Sequence, residues 1–322
     1  MSELIKFSSI GQFRNIVKDI CEYEGPRLPT LVFHGTVKVH GTNASIVINS
    51  DETQYAQSRN NVLSTSTDNS GFSAWHQQKQ ALFAEYAAKI KVHENLSEQE
   101  TIIVYGEWAG KGIQSGVAVS ELDKFFYIFG VKVFNGEDHY WVKDVPSFVN
   151  ATDICDANSI WKKSIEIDFN DPGKIQNDLI ALTNLIEAEC PVGKRFGVSG
   201  VGEGIVWEFI DSRGKKISFK VKGAKHSISK VKKLASIDPE RIESISKFVE
   251  YAVTENRLNQ GFSEICHNEA DRALLGPFIR WVSNDILKEE NDTLVANGLT
   301  MRDVGSALSK KARNWFFDKE FI

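Results

Sequence analysis

Short β-rich runs, separated by turn residues, make up most of the first two thirds of the chain. The clearest of them are residues 31–33, 46–48, 101–105, 125–134, 205–210 and 217–221. β-Branched and aromatic residues at this density favour strands, and Asn135-Gly136 is typical of the turn that joins two antiparallel strands. Helical spacing of apolar residues occurs between these runs, at residues 7–22, 75–90 and 175–188. The sequence therefore predicts an α+β domain.

Beyond residue 233 the patterns are helical only. Asp238-Pro239 suits the cap and first position of a helix, the following apolar residues have helical spacing, and Gly261 is a plausible end. Two further helices are predicted near residues 278–290 and 302–317. We therefore expect a first domain of residues 1–234 and a helical domain of residues 235–322.

Composition excludes several classes of protein. No apolar run is long enough to span a bilayer, and residues 1–6 lack the layout of a secretory signal. The four cysteines lie far apart without Cys-x-x-Cys spacing, which argues against a zinc site and for reduced thiols. With 42% hydrophobic and 25% charged residues, the chain has the composition of a globular protein of the cytoplasm.

Positive charge is concentrated in one window, although the whole chain has a net charge of −5. The lysines of this window are Lys215, Lys216, Lys220, Lys222, Lys225, Lys230, Lys232 and Lys233. Such a cluster could receive phosphate groups, and a solvated basic face or linker is the alternative.

The turn Lys38-Val39-His40-Gly41-Thr42-Asn43 lies between two apolar runs and offers a candidate nucleophile, Lys38. A lysine amine attacks phosphorus only when deprotonated, and burial beside other cations favours the neutral amine. Taken alone, Lys-x-x-Gly is a weak signal, because it recurs at Lys194 and Lys220. A solvated lysine before a turn is the alternative for each of the three.

Further charged residues lie at strand ends or on one strand face. Glu107 follows a buried strand, where burial of a carboxylate destabilises the fold unless the group is ion-paired or has a functional role. Glu203 lies between glycines just before the strand of residues 205–210. Lys220 and Lys222 share one face of the next strand because side chains repeat every two residues. These two cations predict a phosphate site.

Taken in order, these features resemble the six motifs of the covalent nucleotidyltransferases, the superfamily of ATP-dependent DNA and RNA ligases and capping enzymes. The amino-acid sequence of these motifs is similar to that of the RNA ligase 2 family, which includes phage enzymes. The stretches that carry this resemblance are residues 38–43, 105–114, 126–129, 203–206, 220–222, 255–259 and 284–289. The resemblance implies an adenylyltransferase domain with ATP-grasp-like antiparallel sheets, followed by a small all-helical domain.

The reaction implied by this resemblance is ATP-dependent RNA ligation. Lys38 would attack the α-phosphate of ATP to give a lysyl-AMP, AMP would pass to a 5′-phosphate, and a 3′-hydroxyl would then expel AMP. The implied substrate is a nick in duplex RNA or in an RNA/DNA hybrid, and the implied metal is Mg²⁺, with Mn²⁺ as a substitute. A monomer in the cytoplasm, or in a host cytoplasm if the gene is a phage gene, is expected.

The resemblance also assigns roles to individual residues. Lys220 and Lys222 would neutralise charge on the α-phosphate, and Glu203 would hold the metal. Glu107 would bind the ribose and Phe129 would stack on adenine. Arg59 would contact the nucleotide and the 5′-phosphate. The residues assigned to later steps at the RNA ends are His40, Asn43, Gln114, Arg257, Asp285 and Glu289.

Each carried-over role has a structural alternative. Phe129 could be a core residue, and His40 and Asn43 could form the turn only. Asp285 and Glu289, four apart, could lie on a solvated helix face, and Arg257 could be a surface charge.

Two positions depart from the family pattern. Gly130 stands where the family has an aspartate after the stacking phenylalanine, and Ser58 stands where a lysine is common before Arg59. Both put the handling of the substrate in doubt, and neither affects the lysyl-AMP chemistry.

Two alternative functions remain open. An ATP-dependent DNA ligase or a GTP-using capping enzyme would need an oligonucleotide-binding barrel of some five strands after Lys222, where helical patterns occur instead. A non-catalytic RNA-binding protein of the same fold would not need Lys38, Glu107, Glu203, Lys220 and Lys222 to be present together.

Overall fold

The computed structural model describes residues 3–22, 27–97, 99–136, 138–148, 151–223, 225, 245–269 and 271–319. It has two β-sheets with flanking helices, followed by a helical region. Its strands are β1 Gly11–Gln12, β2 Thr30–Lys38, β3 Thr42–Ile48, β4 Gln54–Ser58, β5 Thr101–Ala109, β6 Phe125–Phe134, β7 His139–Trp141, β8 Ile154–Asp156, β9 Lys162–Asp168, β10 Gly204–Ile210 and β11 Lys216–Lys222.

Ten α-helices accompany these strands in the described residues. They are α1 Phe13–Cys21, α2 Phe72–Gln77, α3 Gln80–Glu94, α4 Ala157–Ile160, α5 Gln176–Ala188, α6 Pro191–Arg195, α7 Ile245–Ala252, α8 Glu255–Cys266, α9 Leu275–Ala296 and α10 Met301–Asp318. None of the helices in the described ranges is long and apolar enough to cross a membrane.

Most strand pairs are antiparallel, which confirms the α+β prediction. Sheet A has the order β1-β11-β10-β2-β9, and sheet B has the order β4-β3-β5-β6-β7 with β8 beside β6. The parallel pairs are β1 with β11 and β6 with β8. Sheet A therefore joins the first two strands of the chain to its last three.

The main core lies between the two sheets because strand side chains alternate between faces. On β6, Phe125 and Tyr127 pack with Phe33 and Trp207 of sheet A. The intervening Phe126 packs on the other face, in the core beneath α2 and α3. Tyr127 Oη also donates a hydrogen bond to the main-chain oxygen of Val37 at 3.1 Å. This contact ties sheet B to the strand that ends at Lys38.

The helix predicted over residues 7–22 is shorter in the structure. It spans only Phe13–Cys21, and residues 3–10 have no regular secondary structure. Buried Gln57 accounts for this, since its side chain accepts from the Ile5 amide at 3.1 Å and donates to the Ile5 oxygen at 2.6 Å. Phe7 packs on Tyr105 of sheet B. The apolar residues before Phe13 thus serve tertiary packing rather than a helix face.

Two other helix predictions needed correction. The helix predicted over residues 75–90 is two helices, α2 and α3, separated at residues 78 and 79. Gly261 does not end a helix, because α8 runs through it. A Cβ at Gly261 would lie 2.6 Å from the Trp281 ring. This glycine therefore permits the close approach of α8 and α9.

Helices and connecting turns make up the described residues after Lys225, as the sequence predicted. Their core includes Phe248, Phe262, Phe278, Leu308 and Phe316. The predicted boundary at residue 234 and the predicted Asp238-Pro239 cap lie outside the described residues. The helices α5, α9 and α10 match the three predicted near residues 175–188, 278–290 and 302–317.

Candidate active site

Lys38 is the last residue of β2, and a three-residue turn connects it to β3. A Cβ at Gly41, in this turn, would overlap the main-chain oxygen of Trp108 and would lie 2.9 Å from Glu107 Cγ. Glycine is therefore required for the close approach of this turn to β5. The Gly41 amide donates to Glu107 Oε1 at 3.2 Å. The turn thus places Lys38 and Glu107 in the same cleft.

The carboxylate of Glu203 is the centre of a charge cluster. Lys38 Nζ lies 2.7 Å from Glu203 Oε2, and Lys222 Nζ lies 3.1 Å from Glu203 Oε1. His40 Nδ1 lies 3.5 Å from Glu203 Oε2. Glu203 is only 2% exposed. The pairing of β10 with both β2 and β11 produces this convergence, because Gly204 lies opposite Lys38 on one side and Lys222 on the other.

The charges in this cluster shift one another's pKa. Burial alone would raise the pKa of Glu203, but Lys38 and Lys222 hold it well below its usual range. Burial would lower the pKa of Lys222, but Glu203 raises it above its usual value. For Glu107, burial raises the pKa and outweighs the opposing effect of Lys38. The cleft therefore holds a firmly ionised carboxylate among ammonium groups.

Lys220 lies on the same face of β11 as Lys222 but has a different partner. Its Nζ lies 2.7 Å from Glu289 Oε1 on α9. Burial lowers the pKa of Lys220, against the raising effect of Glu289. Burial would raise the pKa of Glu289, but Lys220 above all brings it down to about 2. The helical region thus contacts the candidate site directly through one ion pair.

Arg257 and Asp285 form a separate ion pair within the helical region. Arg257 Nε lies 2.8 Å from Asp285 Oδ2, and another guanidinium nitrogen donates to the main-chain oxygen of Ala252. Arg257 is fully buried, and its Nη2 lies 3.6 Å from Glu290 Oε1. The interpretation of Arg257 as a surface charge is therefore excluded.

The remaining candidate residues differ in their exposure and in the elements that carry them. Phe129 is partly exposed, and its ring meets Phe7 edge to face at 5.2 Å between centroids. Asn43 is buried opposite Glu107 in the β3–β5 pair. Arg59 is exposed in the turn after β4 and lowers the pKa of Glu107 slightly. Gln114 is partly exposed in the loop after β5.

The space beside Gly130 is filled by an aromatic ring. A Cβ at Gly130 would lie 3.0 Å from the Trp141 ring and 3.9 Å from Lys216 Nζ. Lys216 Nζ lies 3.4 Å from the centre of the Trp141 ring and 2.8 Å from Glu208 Oε1. Trp141 and Glu208 therefore take the volume and the charge that an aspartate at position 130 would supply.

Ser58, at the other departure from the family pattern, is the first residue of the turn that contains Arg59. Its amide donates to the main-chain oxygen of Asn61 at 2.8 Å, and its hydroxyl contacts the same residue. A serine here serves the turn itself.

The donor set fits a loosely held hard cation better than a closed metal site. Within the part of the chain that the structure describes, no group of three His, Cys, Asp or Glu side chains could hold a metal ion. Mg²⁺ is commonly bound by one or two carboxylates together with water and substrate phosphates. Glu203 supplies one such carboxylate beside Lys38 and Lys222.

Four residues of this region carried no signal in the sequence. Gln12 and Arg14 contact α9 from the N-terminal segment, and Tyr251 and Arg14 both donate to Glu290 Oε2 at 2.9 Å. Glu290 is fully buried. No local pattern marks these residues, since their partners are distant in sequence.

Comparison with known proteins gives two findings. Residues 32–222, more than half of the chain, match the model of the RNA ligase family. Solved structures similar to this chain include a Naegleria gruberi RNA ligase mutant with ATP and Mn, which is 16% identical with a TM-score of 0.44. The same ligase with PPi is 17% identical with a TM-score of 0.43. Each match covers 68% of this chain and 56% of the other.

Proposed function

Because the chain belongs to the RNA ligase family, we propose that it joins RNA ends in an ATP-dependent reaction that passes through a lysyl-AMP. The observation that carries this proposal is the arrangement of Lys38 and Lys222 around Glu203 in a cleft that also contains Glu107. A nucleophilic amine, a second cation and a carboxylate at one point are what attack on an α-phosphate requires.

The first step would form a bond between Lys38 Nζ and the α-phosphorus of ATP and break the bond to pyrophosphate. Lys38 must lose a proton before it attacks, and its Nζ lies 2.7 Å from Glu203 Oε2. Mg²⁺ on Glu203 would offset phosphate charge and compete with Lys38 for the carboxylate. Lys222 then stabilises the negative charge that develops on the phosphate oxygens.

The nucleoside would occupy the cleft between the sheets. Phe129 offers a partly exposed ring for stacking on adenine, and Phe7 fixes that ring from the side. The carboxylate of Glu107 can accept hydrogen bonds from ribose hydroxyls, although it already accepts one from Gly41. Arg59, in the exposed turn, is free to reach phosphate. These roles follow the family resemblance, and their geometry supports them.

The later steps would transfer AMP to a 5′-phosphate and join it to a 3′-hydroxyl. We propose a nick in duplex RNA or an RNA/DNA hybrid as substrate, with His40, Asn43 and Gln114 acting on the RNA ends. In the helical region, Glu289 contacts Lys220 directly, whereas Arg257 and Asp285 pair with each other behind it. Arg257 and Asp285 would therefore act by holding this region in shape. We further propose a monomer in the cytoplasm.

Labelling with α-³²P nucleotides tests the first step. The protein is freed of any bound AMP by pyrophosphate and incubated with Mg²⁺ and either labelled ATP or labelled GTP. We expect covalent, alkali-stable label from ATP alone, and no label on Lys38→Ala. The matched control is Lys194→Ala, which removes the exposed lysine of a second Lys-x-x-Gly sequence and should label as the wild type does.

The outcomes separate the candidate functions. Label from GTP would indicate a capping-type enzyme, and no label from either nucleotide would refute the ligase proposal and favour a binding protein. If ATP labels the protein, nicked duplexes with RNA or DNA on each side of the nick then identify the substrate. Sealing of a DNA nick in preference to an RNA nick would contradict the proposed substrate.

A further inference from the structure

Two side chains of the N-terminal segment hold the turn of α9 that carries Glu289. Gln12 Nε2 donates to Glu289 Oε2 at 2.9 Å. Arg14 Nη2 donates to the main-chain oxygen of Glu289 at 2.6 Å and to Glu290 Oε2 at 2.9 Å. Arg14 Nε also lies 3.1 Å from Asp292 Oδ2. The position of Glu289 is therefore fixed through both its side chain and its backbone.

Gln12 reaches Glu289 because it is the neighbour of Lys220 in sheet A. In the parallel β1–β11 pair, Gln12 lies opposite Lys220. Both side chains meet the same carboxylate, which accepts from Lys220 Nζ on Oε1 at 2.7 Å and from Gln12 on Oε2. Rotation of this carboxylate would break one of the two hydrogen bonds. Gln12 thus determines which way the carboxylate faces.

The orientation of Glu289 matters because the pair is largely buried. The Lys220 and Glu289 side chains are 15% and 10% exposed. The charged groups that face Lys220 are Glu289 on α9, Lys222 on β11 itself and Lys38 on β2. Burial and the two lysines disfavour the charge on Lys220, and Glu289 favours it. A misplaced Glu289 would therefore weaken the cation that the α-phosphate needs.

We propose that Gln12 is a positioning residue for the transfer of AMP to Lys38, because it fixes the Glu289 carboxylate and, through it, the ammonium group of Lys220. This inference rests on the proposed function, since Lys220 has a catalytic role only if the protein transfers AMP. Arg14 supports the same contact by holding the backbone of α9.

The test uses Gln12→Met, which keeps the length of the side chain and removes its amide. We expect the single-turnover rate of Lys38 labelling by ATP to fall by about tenfold, as for the loss of a hydrogen bond to a charged group. In the pH profile of the labelling rate, the decrease on the alkaline side should also move to lower pH. Lys220 deprotonates more easily when the negative charge of Glu289 is no longer well placed beside it. Glu289→Gln should shift this decrease further in the same direction.

Two further variants separate positioning from helix stability. Gln12 and Asn15 also cap α1 reciprocally, and the main-chain amide of Gln12 donates to Asn15 Oδ1 at 3.0 Å. Asn15→Ala removes this cap and leaves the contact with Glu289, so it should lower the unfolding temperature without changing the pH profile. In a Glu289→Gln background, Gln12→Met should cause no further loss of rate.

Several results would overturn the inference. One is an unchanged labelling rate in Gln12→Met. Another is that Gln12→Met lowers the rate as much in the Glu289→Gln background as it does in the wild type. A third is that Asn15→Ala shifts the pH profile as much as Gln12→Met does. Failure of the proposed function is a distinct result, because the wild-type protein itself would then take no label from ATP.

Discussion

Replacing Glu203 by glutamine removes the negative charge that lies between Lys38 and Lys222. The two ammonium groups would then face each other across a neutral amide in a site where Glu203 is 2% exposed. Loss of one partner of a buried ion pair typically costs about 3–5 kcal/mol. Lys38 and Lys222 are 20% and 15% exposed, so water recovers part of this cost. We therefore expect a loss of about 3 kcal/mol in the free energy of unfolding at neutral pH.

The size of this loss should depend on pH in a defined direction. The pKa of Glu203 in the folded protein is well below its ordinary value of 4.5, because Lys38 and Lys222 outweigh the raising effect of burial. The folded state therefore binds the proton more weakly than the unfolded chain does. The stabilisation is complete above pH 4.5 and is lost as the pH falls through the folded pKa. The deficit of Glu203→Gln should narrow in acid.

Thermal unfolding of protein freed of bound AMP measures this effect. A loss of about 3 kcal/mol corresponds to a decrease of roughly 4–5 °C in the unfolding temperature of a chain of 322 residues. The control is Glu189→Gln, which removes the carboxylate of an exposed ion pair with Lys194, whose side chain is 68% exposed. We expect no measurable change in the unfolding temperature there.

Equal unfolding temperatures of wild type and Glu203→Gln at neutral pH would refute this reasoning. So would a deficit that stays the same between neutral pH and about pH 3, since the cost would then not come from the charge on Glu203.

Three further substitutions test other parts of the structure. Gly130→Asp should cost about 1–3 kcal/mol of stability, because its Cβ meets the Trp141 ring at 3.0 Å. Calorimetry should show that adding Trp141→Leu to Gly130→Asp restores the lost stability. A Gly130→Asp protein as stable as the wild type would contradict the steric argument. Arg257→Ala should cost about 3 kcal/mol or more, because it removes the fully buried cation that pairs with Asp285, which is 16% exposed. An unchanged midpoint of urea unfolding would contradict this. Gly41→Ala should reduce labelling of Lys38 by about 100-fold, since the turn must move, and labelling at the wild-type rate would show that it need not.

The strands that carry Lys38, Glu107, Lys220 and Lys222, and the charges themselves, could be predicted because their signals are local, whereas β9 Lys162–Asp168 was not predicted. Alternation along residues 216–222 put Lys220 and Lys222 on one face, and the structure has them there. What alternation could not predict is that the two lysines contact different carboxylates, Glu289 and Glu203. That difference depends on where α9 packs, which no pattern along β11 encodes.

The contacts of the N-terminal segment could not be predicted from the sequence, for a different reason. Gln12 and Glu289 are 277 positions apart, and Gln12 lies in a strand of two residues. A strand that short has no detectable period. The helix predicted over residues 7–22 began too early because Phe7 and Ile10 continue the apolar spacing, although both pack on residues of sheet B and residues 3–10 form no helix.

The arrangement of the two sheets has a consequence for how the protein is made. Strands β3 to β7 of sheet B are consecutive in the chain, so they can pair while later residues are still being translated. In sheet A, by contrast, β2 can pair only after β9 and β10 have been translated, and β11 is translated later still. Contacts of such long sequence separation form slowly. Lys38 therefore leaves the ribosome long before Glu203 is translated, and the charge cluster of the candidate site can form only after Lys222 has emerged.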